Sequence, residues 1–301
     1  MKKLITRIII FFAVVALIDM AFGMACNYLV SHAKGGATRN HHYIAKECDK
    51  EILFFGSSRC MKHYVPKIVE DSLGMSCYNC GELNNGIVFL YGRLIMMTNR
   101  YTPKVVIYDV HSGTDIINSD NIQYLGWLKR YYDEPGVEEV FSMVSPTEHY
   151  KMLSQLYRNN GYFAQMSIDN IHPVSVPLEN GYCPSYKVMD YDPVITESEQ
   201  LATWDSTKKE CMIRLVELCR SKGITLIFAY SPRYGALRPS CDELVRSFAC
   251  EYHIPMLDHY ADPEICMQKR YFADAIHMND LGATVYTRKL VRELRNIIET
   301  K

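Results

Sequence analysis

The 301-residue sequence predicts a three-layer α/β/α sandwich with a mainly parallel sheet of about five strands, an insertion after the third strand and an N-terminal transmembrane helix. Three observations carry this reading. Short apolar runs alternate with helix-like segments, the pattern of a βαβ arrangement. The first of those runs, Glu51 to Arg59 (EILFFGSSR), stops at a glycine and two serines. The alternation breaks in the middle of the chain and then resumes, which marks an insertion over the sheet.

In EILFFGSSR the apolar residues read as a buried parallel strand, and Gly56 permits the tight turn that delivers Ser57 and Ser58 to the strand's carboxyl end. Ligands of open α/β sheets bind at that end. A helix is expected from about Tyr64 to Leu73, a second strand at Met75 to Asn79, the turn CGELNNG, an apolar helix from about Ile87 to Arg100, and a β-branched third strand at Val105 to Val110. From roughly 112 to 197 the rhythm is lost. Helices near Val137 to Met143 and Thr147 to Arg158 are followed by an irregular stretch in which Pro173, Pro177, Pro184 and Pro193 preclude central strands. Tyr162, Tyr182, Tyr186 and Tyr191 there are candidates for stacking on sugar rings, although tyrosine-rich loops commonly just pack on their own domain. The pattern resumes with a helix from about Glu199 to Lys222, stopped by Gly223, and a strand at Ile224 to Tyr230. A helix at Cys241 to Tyr252, a short strand near Pro255 to Leu257 and a closing helix after Asn279 complete it.

Before the sheet, Lys2, Lys3 and Arg7 precede an apolar stretch that runs from Ile8 to Val30 with Asp19 inside it. That length spans a bilayer, and the basic end is retained in the cytoplasm, so the domain is expected on the periplasmic or extracytoplasmic side of a single-pass membrane protein. A cleaved signal peptide competes with this reading, but Asp19 interrupts the apolar region and no small-x-small site follows; GMAC at Gly23 to Cys26 is a poor lipoprotein box. Asp19 costs on the order of 3 kcal/mol within a membrane segment. It calls for either a partner in another membrane protein or a position near the outer interface. The division expected is an anchor over 1–31, a linker over 32–50 with its GG and HH pairs, and one α/β domain over 51–301.

Composition excludes several classes. With 48% hydrophobic and 22% charged residues the chain is globular, and a net charge of -1 leaves no basic footprint for nucleic acid. Eleven cysteines in an exported chain suggest disulfides, though an odd number cannot all pair internally. CYNC at Cys77 to Cys80 has no second CxxC to complete a zinc site, and small buried thiols are common, so the cysteines read as structural.

A serine becomes a nucleophile only when a base takes its proton and a third group fixes that base. Asp274-Ala275-Ile276-His277 offers both on one turn, the spacing allowing Asp274 to hold Nδ1 of His277 and leave Nε2 for a serine. Asp169 and His172 share that spacing, so the pattern alone is weak; what distinguishes Asp274 and His277 is their place between the last strand and the closing helix. Among competing serines, Ser231 is followed by Pro232, which lacks the backbone N–H an oxyanion needs, whereas Ser112 carries no such objection.

FFGSSR, CYNCGELNNG and FADAIHMNDLGA, in this order and context, resemble the blocks of the SGNH hydrolase (GDSL-like) superfamily, and more narrowly its membrane-anchored bacterial branch, similar to proteins of cell-surface polysaccharide O-acylation. The resemblance implies Ser58 as nucleophile in preference to Ser57, His277 as base, Asp274 as its orienter, and the N–H groups of Ser58 and Gly81 as oxyanion donors. It departs at the third block, where YDVHSGTD has no asparagine. Loss of one oxyanion donor can remove about 2.7–4 kcal/mol of transition-state stabilisation. Asn84, Asn85 and His111 are the candidate replacements or substrate contacts, outside the motif. The implied activity is an esterase or O-acyltransferase on acyl, foremost acetyl, esters of a surface glycan, with no metal or cofactor. The alternative is a non-catalytic accessory protein that binds glycan or docks a membrane acyltransferase.

Overall fold

The computed structural model describes residues 1–117, 120–173, 180–194, 203–235, 238 and 240–299. Five parallel strands, β1 (Ile52–Gly56), β2 (Cys77–Asn79), β3 (Val105–Asp109), β4 (Thr225–Tyr230) and β5 (Met256–Asp258), are arranged in the order β2-β1-β3-β4-β5. The helices are α1 (Lys2–Ser31), α2 (Gly36–Lys46), α3 (Ser58–His63), α4 (Pro66–Leu73), α5 (Ile87–Thr98), α6 (Ser112–Asp115), α7 (Val137–Val144), α8 (Glu148–Lys151), α9 (Gln155–Asn159), α10 (Phe163–Ile171), α11 (Ser206–Lys222), α12 (Asp242–Glu251) and α13 (Asp280–Glu299). Short 3₁₀ segments cover Asn121–Tyr131 and Lys269–Tyr271.

Because side chains alternate across a strand, each strand feeds two cores. Leu53, Phe55, Val106, Tyr108, Phe228 and Tyr230 face one apolar layer with α5, α11 and α12. Ile52, Phe54, Val105, Ile107, Ile227 and Leu257 face the other, where Val69 of α4 and Leu290 and Leu294 of α13 cover them. This is an α/β/α sandwich with helices on both faces, and the insertion follows β3.

Two expectations about the flanking segments change. The polar stretch expected as a linker over 32–50 contains α2, a helix with Thr38, Asn40, His41, Ile44 and Ala45 buried. Its polar residues have partners in the domain: the Asn40 Oδ1 accepts from Tyr78 Oη at 2.6 Å, and the Thr38 N–H donates to Asp169 Oδ2 at 2.9 Å. Composition alone reads such residues as solvated. The insertion is also more helical than expected, since Asp169, with His172 just beyond, lies on α10. Pro177 and the expected start of a helix at Glu199 lie outside the described residues.

α1 is long and apolar enough to cross a membrane. Its last turns belong to the domain core, with Cys26 and Val30 at 0% and 3% exposure. All eleven cysteines are free thiols in the structure.

Leu290 is fully buried in the layer between the sheet and α13. Leu290→Ala is expected to cost about 2–5 kcal/mol through lost transfer free energy and the cavity left behind, measured as a lowered thermal midpoint of the chain in detergent micelles.

Candidate active site

The carboxyl edge of the sheet gathers the chemistry. β1 ends at Gly56, whose φ of 155° and contacts exclude a side chain: a Cβ would lie 2.7 Å from the Asp109 carbonyl oxygen and 2.7 Å from Cys60 Cβ. The chain then turns into α3 with Ser58 as its first residue. From the opposite side, the turn before α13 presents His277. Ser58 Oγ lies 2.7 Å from His277 Nε2, and His277 Nδ1 lies 3.0 and 3.1 Å from the two carboxylate oxygens of Asp274. Asp274 Oδ1 also accepts the backbone N–H groups of Ile276 and His277 at 2.8 and 2.9 Å, which fixes the turn. Burial works against ionisation of Asp274, but His277 and those two N–H groups outweigh it and hold the carboxyl below its ordinary value. The carboxylate therefore stays charged at neutral pH and holds the Nδ1 proton, leaving Nε2 to accept from Ser58.

Ser57 is not equivalent to its neighbour. It is buried at 3% exposure, and its Oγ has no hydrogen-bond partner among the described residues. Ser58, half-buried, meets the histidine.

Ser231, His63 and Asp109 form a second hydrogen-bonded set of the residue types of a catalytic triad, with the aspartate bonded to the serine and not to the histidine. Ser231 Oγ donates to Asp109 Oδ2 at 3.0 Å and lies 2.9 Å from His63 Nδ1. The direction of the bonds differs from the first set. His63 Nε2 accepts the Met278 N–H at 2.9 Å, and burial drives the ring neutral, so Nδ1 carries the proton and donates to Ser231. Arg59 Nη2 donates to Ser231 Oγ as well, at 2.9 Å. Ser231 and His63 are both 0% exposed. A base already protonated on the nitrogen that faces the serine cannot take its proton, so this second set is a frame.

The oxyanion donor expected at Gly81 is not presented to the site. Its N–H donates to Asn79 Oδ1 at 3.0 Å. Asn79 spends its Nδ2 on the carbonyls of Cys60 and Tyr64 at 2.7 and 3.0 Å, which aims Oδ1 at Gly81. Asn84 is exposed with φ of 53°, and Asn85 turns its Nδ2 onto the Leu83 carbonyl at 3.0 Å. His111 is placed differently. It lines a cavity of about 210 Å³ together with Arg59, Arg233, Cys241, Tyr260 and Ile276, so the wall includes the chain neighbours of both Ser58 and His277. Burial, reinforced by Arg59, Arg233 and His277, pushes the His111 imidazole down to about 3, which leaves a neutral ring with one N–H.

Asp169, from the other D-x-x-H pair, is buried and accepts the Thr38 N–H at 2.9 Å, a structural task. Ser112 is buried and donates to Asp242. Among the tyrosines proposed for sugar stacking, Tyr162 stacks on Trp127 with centroids 4.3 Å apart and Tyr182 donates to Asp280 at 2.9 Å, while Tyr186 and Tyr191 are exposed. Arg59, His63 and Asn79 were not singled out from sequence; an arginine and a histidine on one turn of RCMKH carry no signal of burial.

No family model matches the sequence, and no curated protein matches it. Among solved structures the chain is similar to a G-D-S-L family protein from Desulfitobacterium hafniense, at 13% identity and a TM-score of 0.43, covering 80% of this chain and 97% of that one. It is also similar to a GDSL-like lipase from Bacteroides thetaiotaomicron, at 12% identity and a TM-score of 0.41, covering 87% and 96%. Overlaps of this size carry no weight in the reading of the site, which rests on the chain's own geometry.

Burial holds His63 and His111 neutral in the fold, while both protonate near 6.5 once unfolded. As pH falls below about 6.5 the unfolded chain binds protons that the folded chain does not, so stability falls, by up to about 1.4 kcal/mol per pH unit for each group. Thermal midpoints in detergent should therefore drop between pH 7.5 and pH 5, and His111→Asn should make that drop shallower.

Proposed function

We propose that this protein is a serine esterase or O-acyltransferase of the SGNH type, held to the membrane by α1. The observation that carries the reading is the 2.7 Å contact of Ser58 Oγ with His277 Nε2, continued by Asp274 at 3.0 Å. In this mechanism His277 takes the Ser58 proton as Oγ attacks an ester carbonyl, and Asp274 stabilises the resulting imidazolium. The tetrahedral intermediate expels the alcohol, which takes its proton from His277, and leaves an acyl-serine. Attack by water completes hydrolysis; attack by a sugar hydroxyl completes transfer.

The Ser58 N–H, first in α3 and without a partner in its own helix, serves the oxyanion, and His111 supplies the donor that the third block lacks. A neutral imidazole donates one hydrogen bond without adding a charge that would compete with His277 for protons. The cavity of about 210 Å³ lies below the ~300–1,000 Å³ of pockets for drug-sized ligands, which supports a short acyl group such as acetyl. The exposed rings of Tyr186 and Tyr191, on the insertion, support a glycan as the alcohol component. The apolar α1 supports work at a cell surface, with the domain outside the cytoplasm.

A second reading, a non-catalytic protein that binds glycan or docks a membrane acyltransferase, is favoured by one observation: the Gly81 N–H is used internally.

A fluorophosphonate probe separates the two. The folded chain in detergent should label, Ser58→Ala should abolish labelling, and Ser57→Ala should keep it; no labelling of the folded chain overturns the catalytic reading. Aryl acetate turnover should fall ~10³-fold or more in His277→Ala. If His111 serves the oxyanion, His111→Ala should lower kcat by ~10²–10³ with KM little changed; an unchanged kcat removes it from that role.

A further inference from the structure

Asp19 is tied to the folded domain. Its carboxylate accepts from Ser154 Oγ at 2.9 Å, from the Gln155 N–H at 2.7 Å and from the Leu156 N–H at 2.8 Å. One turn further on, Gly23 lets α9 approach so closely that a Cβ there would lie 2.6 Å from Gln155 Cγ. Beyond it, Asn27 Oδ1 accepts from Arg130 Nη2 at 2.9 Å and the Leu29 carbonyl from Asn170 Nδ2 at 2.8 Å. The domain is fixed to α1 from Asp19 onward, with no free tether between them.

This fixes the depth of the domain against the bilayer. A span needs about 20 residues at 1.5 Å each. Counted from Leu4, just after Lys2 and Lys3, about 20 residues reach Gly23; counted from Ile8, after Arg7, they reach Asn27. The outer edge of the hydrocarbon then lies about 6 to 12 Å beyond Asp19 along the helix axis, and helix tilt increases the number of residues required. The residues bonded to Asp19 cannot stay clear of the lipid.

Their surface suits that position. Leu153 is 79% exposed, Tyr150 65% and Leu156 52%, all on or beside α8 and α9. Leu153 and Leu156 share one apolar groove with Phe12, Val15, Ile18 and Phe22 of α1. The carboxylate that would be costly in lipid has its oxygens covered by donors of the same chain, so Asp19 does not require a second membrane protein.

We infer that the segment Tyr150 to Leu156 is a membrane-docking face, inserted into the outer leaflet about 6 to 12 Å below the acyl-chain and headgroup boundary and bolted to the span through Asp19. The inference rests on reading α1 as an uncleaved span. It places the α/β domain against the membrane in one orientation, so its substrate must be reachable at the bilayer surface.

The test uses the full chain reconstituted in phosphatidylcholine vesicles whose acyl chains carry bromine at mid-chain, compared with unbrominated vesicles. Single substitutions Phe12→Trp, Leu153→Trp, Leu156→Trp and, as a control at an exposed position between β5 and Lys269–Tyr271, Met267→Trp are each read against the parent chain to remove the emission of Trp127 and Trp204. Indoles at 12, 153 and 156 should each lose emission in brominated lipid relative to unbrominated lipid, and that at 267 should not. Quenching at 12 with none at either 153 or 156 overturns the docking face while leaving the span intact. No quenching at 12 removes the span itself, and the docking face with it.

Discussion

Arg59 and Asp109 are both buried, and Ser231 joins them, accepting from Arg59 and donating to Asp109. The site depends on this link. Arg59 follows Ser58 in α3, Asp109 ends β3, and Ser231 follows β4. Through Ser231 the network continues to His63, and from His63 to the backbone N–H of Met278, next to His277. The nucleophile and its base come from opposite ends of the domain sequence, yet each is one residue from a member of the same buried network. Leaving a buried donor or acceptor of such a network without its partner costs about 1–3 kcal/mol, and more where the group is charged. That penalty is what gives such a network one arrangement and holds the two catalytic candidates in register.

A comparable device holds the loop after β2. Arg93 of α5, itself fully buried, donates to the Cys80 carbonyl at 2.7 Å and to Glu82 at 2.9 Å, and lies 2.8 Å from His41 Nδ1. His41 belongs to α2 and stacks on Trp127 with centroids 4.3 Å apart. The segment between the apolar helix and the sheet is therefore part of the scaffold of the site, and α1, α2 and the insertion form one support beside the sandwich.

How much of this was legible follows from the physics of each signal. The five strands were readable because a strand buried on both faces must be apolar along its length, as in Ile52 to Phe55 and Ile224 to Tyr230. The Asp274 and His277 pair was readable because its geometry is local. What was hidden depends on long-range satisfaction of polar groups. Arg59, His63, Asn79 and Asn40 are residue types that sequence reasoning assigns to the surface, and they are buried because partners far along the chain await them. For the same reason Gly81 was assigned a free N–H: nothing in CYNCG shows that the asparagine two residues earlier would claim it.

The two Ser–His–Asp sets show why residue identity does not define a catalytic group. In both, a serine hydroxyl is within hydrogen-bond reach of an imidazole nitrogen, at 2.7 Å in one and 2.9 Å in the other. The difference lies at the far ring nitrogen. For His277 it faces a carboxylate, which demands a proton there and leaves the near nitrogen basic. For His63 it faces a backbone N–H, which forbids a proton there and forces the near nitrogen to be the donor. The partner behind each ring sets its tautomer, and the tautomer decides whether the serine in front can be activated or only held.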